Sequence, residues 1–249
     1  MIHPEVTTLY KYRAFNEQSL SILINKKIWC ASPESFNDPF DCGAEISYKK
    51  EVAKLLIGKN VSPEEMKRHQ EEFKKGMDHD SSLKDKKVGI FSLSEVNNEI
   101  LMWSHYANNH KGFCIGFERN LDNLLGKDKW THRIIYRDDI AHIEHKSTEQ
   151  VFLEFYTKKS KKHWSYEKEW RYVQWPSEPN EIITNVEMGL PGKIESIVFG
   201  LKMPIEHKRT IINILEDEVD YYRVEKDKKL FKLNLFQLTK EEIEGLQKG

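Results

Sequence analysis

Two carboxylates two positions apart, Glu167 and Glu169, stand in the aromatic stretch W-S-Y-E-K-E-W-R-Y, with Arg171 at the next alternate position. Read as a strand, Trp164–Tyr172 puts the three charged side chains on one face and Tyr166, Trp170 and Tyr172 on the other. Carboxylates fixed on a rigid element can move protons or stabilise a developing positive charge. Read as a helix, Glu167 and Arg171 form an ordinary i,i+4 ion pair. The aromatic and β-branched content of Trp164–Trp175 favours the strand. A strand whose acids are merely neutralised by Lys168 and Arg171 on a solvated face carries the same pattern.

Other candidate groups are weaker. Asp38 and Asp41 in S-F-N-D-P-F-D, taken with Glu167 and Glu169, have the chemistry to hold hard cations, as a metal-dependent nuclease would. Carboxylates after Asn37 also close turns, so no metal is expected. His142 and His145 form an H-x-x-H without a matching ligand set, and His105 reads as a polar helix residue. The run K-K-S-K-K-H, 158–163, offers a local basic patch for nucleic acid. The chain holds no G-x-G-x-x-G, G-x-x-x-x-G-K-[ST], H-E-x-x-H or G-x-S-x-G, which sets aside several common nucleotide, zinc-protease and serine-hydrolase chemistries.

The chain that must position these groups has 249 residues, enough to bury a substantial core. Its 39% hydrophobic content and twelve Phe, ten Tyr and six Trp describe a globular protein. Charged residues reach 32% but nearly cancel, to a formal −1, so no global field draws the chain to nucleic acid. No run approaches the roughly 18 apolar residues of a membrane span, and no membrane partner is expected. The N-terminus lacks the features of a signal peptide, and three cysteines without C-x-x-C spacing argue against disulfides or structural zinc. A cytoplasmic location is the default.

The periodicities predict a single α+β domain over 1–249, with a mixed or antiparallel sheet and a helical insertion at 49–87. Strands are expected at Leu9–Ala14, Lys27–Ala31, Gly43–Tyr48, Val88–Ser94, Gly112–Glu118, Arg133–Tyr136, Glu181–Glu187, Ile194–Phe199, Tyr221–Val224 and Phe231–Leu238. Helices are expected from Asn16, as cap, to Asn25; after Asn97 or Asn98; over Ser147–Lys162; and from Met203-Pro204 to about Val219. Two helices are expected in the insertion, the second capped by Ser62 with Pro63 at its first position.

The motifs L-Y-K-Y-R, S-F-N-D-P-F-D, L-M-W-S-H-Y-A, H-K-G-F-C-I-G-F and Y-E-K-E-W-R-Y occur in that order. In this combination the chain resembles the bacterial domain-of-unknown-function family 2971 over most of its length outside 49–87. The family name states no activity. A second resemblance supplies a mechanism. ADP-ribosyltransferases of the Arg/Ser/Glu type carry an early-strand Arg, a middle-strand S-T-S and a late E-x-E. Arg13, Ser92-Leu93-Ser94 and Glu167-Lys168-Glu169 follow the same order, with S-L-S in place of S-T-S. In the His/Tyr/Glu variant of those enzymes, Tyr10 or Tyr12 and Tyr106 are the competing picks.

That resemblance implies NAD as substrate and a role for each residue. Glu169 would stand beside the positive charge that builds on the ribose as the nicotinamide bond breaks, and Glu167 would orient or deprotonate the acceptor. Arg13 would grip the phosphates, with Tyr12 beside it on the strand. Ser92 and Ser94 would orient the ribose or amide, Trp103 or Tyr106 would stack on a ring, and Asn37 and Asp38 would shape the pocket edge. The expected partner is a macromolecular acceptor, protein or nucleic acid, with a possible antitoxin or regulator; family association adds a toxin or phage-defence setting. A nuclease or nucleic-acid-binding effector and a noncatalytic interaction module are the alternatives.

Overall fold

In a computed structural model, residues 1–42, 45–46, 56, 61–72, 75, 88–139, 142–143, 155–178 and 181–248 are described. The first strand, β1 (Thr8–Arg13), is followed by α1 (Glu17–Asn25) and β2 (Lys27–Cys30). The Asn16 side chain accepts from the Ser19 amide and so caps α1, and Lys26 ends the helix in the left-handed region. After the short β3 (Glu45–Ile46) comes α2, 63–72. Ser62 and Glu65 close a reciprocal capping box at its start, with bonds of 2.9 and 3.2 Å. The first helix expected in the insertion lies outside the described residues.

The chain continues through β4 (Gly89–Ser94), α3 (Ile100–Tyr106), β5 (Phe113–Glu118), β6 (Thr131–Arg133), β7 (Ile135–Arg137) and β8 (His142–Ile143). Then come β9 (Lys158–Ser160), α4 (Lys161–Trp164), β10 (Glu169–Gln174), β11 (Val186–Gly189) and β12 (Ile194–Phe199). The last elements are α5 (Ile205–Leu215), β13 (Asp220–Lys226), β14 (Leu233–Gln237) and α6 (Lys240–Lys248).

Eight strands form one sheet in the order β14-β13-β12-β5-β1-β4-β10-β6. All neighbours are antiparallel except β12 and β13, which are parallel and joined across α5. The expected mixed sheet is therefore present. Alternation sorts the side chains into two layers. Leu9, Phe91, Phe113, Ile115, Phe117, Trp170 and Tyr172 face α1 and α5, whose Ile22, Leu23, Ile211, Ile212 and Leu215 complete the larger core. Tyr12, Cys114, Val198 and Val224 face α3 through Met102, Trp103 and Ala107.

The sheet opens at one seam. β1 pairs β5 along its whole length, and β4 pairs β10 along its whole length, but β1 and β4 meet only at Tyr10↔Ser94. Farther along β4, Ala31 takes the place of β1, exchanging two 2.9 Å backbone bonds with Ile90. Between these two pairings the strands splay apart. The Lys11 amine crosses the gap and donates to the Ser92 carbonyl at 2.6 Å.

Several expected boundaries differ. The aromatic stretch is not one strand: α4 ends at Trp164, Ser165–Glu167 is a 3₁₀ turn, and Lys168 adopts φ 42° before β10 begins at Glu169. The Ser147–Lys162 helix is interrupted by β9, whose Tyr136↔Lys159 pairing with β7 overrides local helix propensity, and 147–154 lie outside the described residues. The Arg133–Tyr136 strand divides at Ile134 between two sheets. The strand near 181–187 starts only at Val186, and the helix after Pro204 stops at Leu215. Glu99, not Asn97 or Asn98, caps α3; the Asn97 carbonyl instead accepts from the Trp103 indole at 2.9 Å. The terminal helix α6 carries no counterpart among the expected elements.

Candidate active site at the open seam

A cavity of about 510 Å³ lies at the splay of β1 and β4, within the size range of small-molecule sites. Tyr12 and Arg13 from β1, Asn37 from the loop after β2, Ser92 from β4, Tyr106 from α3, Glu167 and Glu169 all line it. Lys11, Asp41, His105 and Lys159 line it as well. Three of the sequence candidates stand elsewhere. Ser94 is buried, and its hydroxyl donates to the Glu167 carbonyl at 2.6 Å, pinning the 3₁₀ turn. Trp103 is wholly buried beneath the cavity, edge-on to Tyr12. Asp38 turns back to accept from the Phe40 amide at 3.0 Å, as a turn carboxylate does.

Glu167 and Glu169 converge although they do not share a strand. Lys168 reverses the backbone between them, and the Lys159 ammonium sits 2.7 Å from Glu167 Oε2 and 3.1 Å from Glu169 Oε2. It also lies 3.6 Å from Asp41. Arg171, fully buried, donates Nε to Glu169 Oε1 at 2.8 Å and a terminal nitrogen to Asp41 at 2.7 Å. It also reaches the Tyr156 carbonyl and the Cys42 sulfur, so its fork is fully used. The Tyr136 hydroxyl accepts from the Glu169 amide at 2.7 Å and fixes the start of β10.

Three carboxylates thus share two cations, and the shortage falls on Glu167. Burial raises the Glu167 carboxyl above the ordinary glutamate range; Lys159 draws it down, and the Glu169 charge pushes it up again. Burial would also raise Glu169, but Arg171 and then Lys159 outweigh it and hold this carboxyl low. Lys159 itself pays desolvation, which Glu169, Glu167 and Asp41 overcome, so it stays charged. Two carboxyls with affinities for a proton pushed in opposite directions form the usual basis for dividing acid–base work from charge stabilisation. Tyr106 donates to Glu167 Oε1 at 2.6 Å; burial first, then that carboxylate, raises its own hydroxyl.

β1 brings two further cations, Lys11 and Arg13, to the cavity. Burial, then Arg13, lowers the Lys11 amine to about 8. Arg13 spends its Nε on Ser19 Oγ at 3.0 Å, and its terminal nitrogens make no hydrogen bond among the described residues. The oxygens that a divalent cation would use on Asp41, Glu167 and Glu169 are occupied by Lys159 and Arg171, and no cluster with metal-site composition occurs among the described residues. His145 lies outside the described residues, so the H-x-x-H has no geometry to weigh.

Residues 102–172 match the sequence model of a family described as a protein of unknown function, DUF2971. Over this stretch the chain is similar to that family. The DUF2971 stretch contributes Met102, His105, Tyr106, Lys159, Glu167 and Glu169 to the cavity, while Lys11, Tyr12, Arg13, Asn37, Asp41 and Ser92 come from outside it. The motifs L-Y-K-Y-R and S-F-N-D-P-F-D therefore lie beyond the matched residues. No curated protein and no solved structure matches the chain.

Lys159 and Lys11 are the charged cavity residues that sequence reasoning missed. Lys159 sits in a run of four lysines around a serine and looks like a solvated patch. Its neighbours Lys161 and Lys162 are exposed, as such a run predicts, and only pairing with β7 turns Lys159 inward.

Proposed function

We propose that the seam cavity cleaves the nicotinamide–ribose bond of NAD and passes the ADP-ribosyl group to water or to a macromolecular acceptor. The observation that carries this reading is the convergence of Glu167, Glu169, Arg13 and Ser92 on one cavity, to which β1 brings Lys11 and Arg13 while the two acids come from β10 and the turn before it. A dinucleotide has the matching polarity: anionic phosphates at one place and, in the transition state, a cationic ribose at another.

The chain's own groups divide the work as follows. Arg13, whose terminal nitrogens make no hydrogen bond among the described residues, and Lys11 bind the phosphates. Ser92 hydrogen-bonds the ribose or the carboxamide. As the bond from ribose C1′ to the nicotinamide nitrogen breaks, its electron pair leaves with the ring, which becomes neutral. The ribose gains positive charge, and Glu169, held ionised, lowers its energy from a water-poor wall. An oxygen of water or acceptor then bonds to C1′ and gives its proton to Glu167, whose raised proton affinity suits a base working near neutrality. Lys159 positions both acids and Tyr106 positions Glu167, and neither touches a reacting atom.

The test is NAD turnover, followed by nicotinamide release, in the wild type and in Glu167→Gln. General acid–base groups contribute about 10²–10⁴ in rate, so the variant should lose that much with its thermal unfolding little changed. Equal turnover in the two proteins would refute the assignment. Glu169→Gln should be at least as inactive, but it also strips Arg171 of a buried partner, so Glu167 gives the cleaner experiment.

A further inference from the structure

A second cavity, of about 480 Å³, adjoins the first and shares Lys11, Arg13, Gln18, Ala31, Phe36 and Ser92 with it. Its own lining includes Ile28, Trp29 and Phe91, with Lys27 and Glu187 at the edge. We infer that this second cavity is a nucleotide subsite, in which a purine base stacks on Trp29 while its diphosphate spans Arg13 and Lys11 at the neck. That the nucleotide is one half of NAD rests on the reading above; the subsite itself does not.

Trp29 is 52% exposed on β2 although its neighbours Ile28 and Cys30 are wholly buried. Strand alternation turns it away from the core and toward the cavity. A large ring left half bare beside a cavity offers a face for a base, and base–aromatic stacking is among the stronger sequence-tolerant contacts. The neck supplies what a diphosphate needs. Arg13 presents terminal N–H groups that make no hydrogen bond among the described residues, and Lys11, which lies over the Phe91 ring with its amine lowered to about 8, is held more firmly in its charged form when an anion arrives. The cross-strand partner of Trp29 is Glu187, whose carboxylate is engaged only loosely, 3.5 Å from Lys27. A carboxylate at the edge of the stacking face accepts from an exocyclic amine, which favours adenine over hypoxanthine.

The experiment is calorimetric titration of the full chain with ADP and with IDP, the diphosphates alone. ADP should bind more tightly than IDP. Trp29→Ala should weaken ADP by roughly 5- to 150-fold, the size of one lost stacking contact. Trp29→Phe should restore most of it, and Glu187→Ala should erase the preference for ADP over IDP. No measurable ADP binding, or equal affinity in wild type and Trp29→Ala, would overturn the subsite. ADP binding that depends on Trp29 in a protein that never consumes NAD keeps the subsite and removes the proposed reaction. NAD consumption with a KM indifferent to Trp29→Ala does the reverse.

Discussion

The Tyr106 hydroxyl donates a 2.6 Å hydrogen bond to Oε1 of Glu167, joining α3 to a turn 61 residues farther along the chain. The bond holds one oxygen of the least neutralised carboxylate in the cavity and favours its ionised form. Tyr106→Phe removes it without opening a void. Hydrogen bonds to charged groups contribute about 1.5–3 kcal/mol, so turnover at neutral pH should fall roughly 10- to 150-fold. Because the Glu167 carboxyl then rises further, the rising limb of kcat against pH should move to higher pH. A tyrosine that merely packs would leave that limb in place.

Lys159 holds Glu167, Glu169 and Asp41 together from a position 5% exposed. Lys159→Met keeps most of the length of the side chain but leaves three buried acids with Arg171 alone. Breaking a buried ion pair from one side costs about 3–5 kcal/mol, because the remaining charge is uncompensated. Urea unfolding should show that loss in wild-type-like buffers near pH 7 and a smaller loss near pH 4, where Glu167, the acid with the raised carboxyl, takes up a proton. A pH-independent loss would mean that Lys159 stabilises through packing against Trp164, over whose ring its amine lies at 4.7 Å.

How much of this was legible in the chain depends on how local the cause is. Asn16 before α1 and the Ser62–Glu65 capping box are written in four adjacent residues, and both helix starts follow. The alternation of β4 and β5 likewise fixes which side chains reach the core. The convergence of Arg13, Ser92, Glu167 and Glu169 was anticipated only through resemblance; its physical cause, the single β1–β4 pairing, is a matter of topology. Lys168 in the left-handed region leaves no trace in residue type, so the turn before β10 read as more strand. Lys159 belongs inward because β9 pairs with β7, a contact that no local pattern records.

Gly112 precedes β5, and a Cβ there would come 2.1 Å from the Arg13 carbonyl. Backbone cannot yield as a flexible side chain can, so Gly112→Ala must push the end of β1 away from β5. Overpacking of this kind costs about 1–3 kcal/mol. Because Arg13 ends that strand, the variant should also raise the KM for NAD more than it lowers kcat. A loss of stability with an unchanged KM would place the phosphate grip elsewhere.

Glu167 and Glu169 should give stability opposite dependences on pH. Glu169 has its folded proton affinity lowered, to about 2 against 4.5 unfolded, so its contribution is complete above 4.5 and disappears as the pH falls toward 2. Glu167 has its folded affinity raised, so the native state holds its proton longer than the unfolded chain does. Its ionisation therefore takes stability away as the pH climbs from 4.5 through the raised value. Unfolding free energy measured across pH 2–8 should rise steeply at the acid end and flatten or dip above pH 4.5. Glu167→Gln should remove the dip and leave the acid limb. Glu169→Gln should flatten the acid limb and lower stability by about 3–5 kcal/mol at neutral pH, since Arg171 is then buried with Asp41 as its remaining carboxylate. Identical profiles for the two variants would show that the acids titrate as one shared site, and the division of labour between them would be lost.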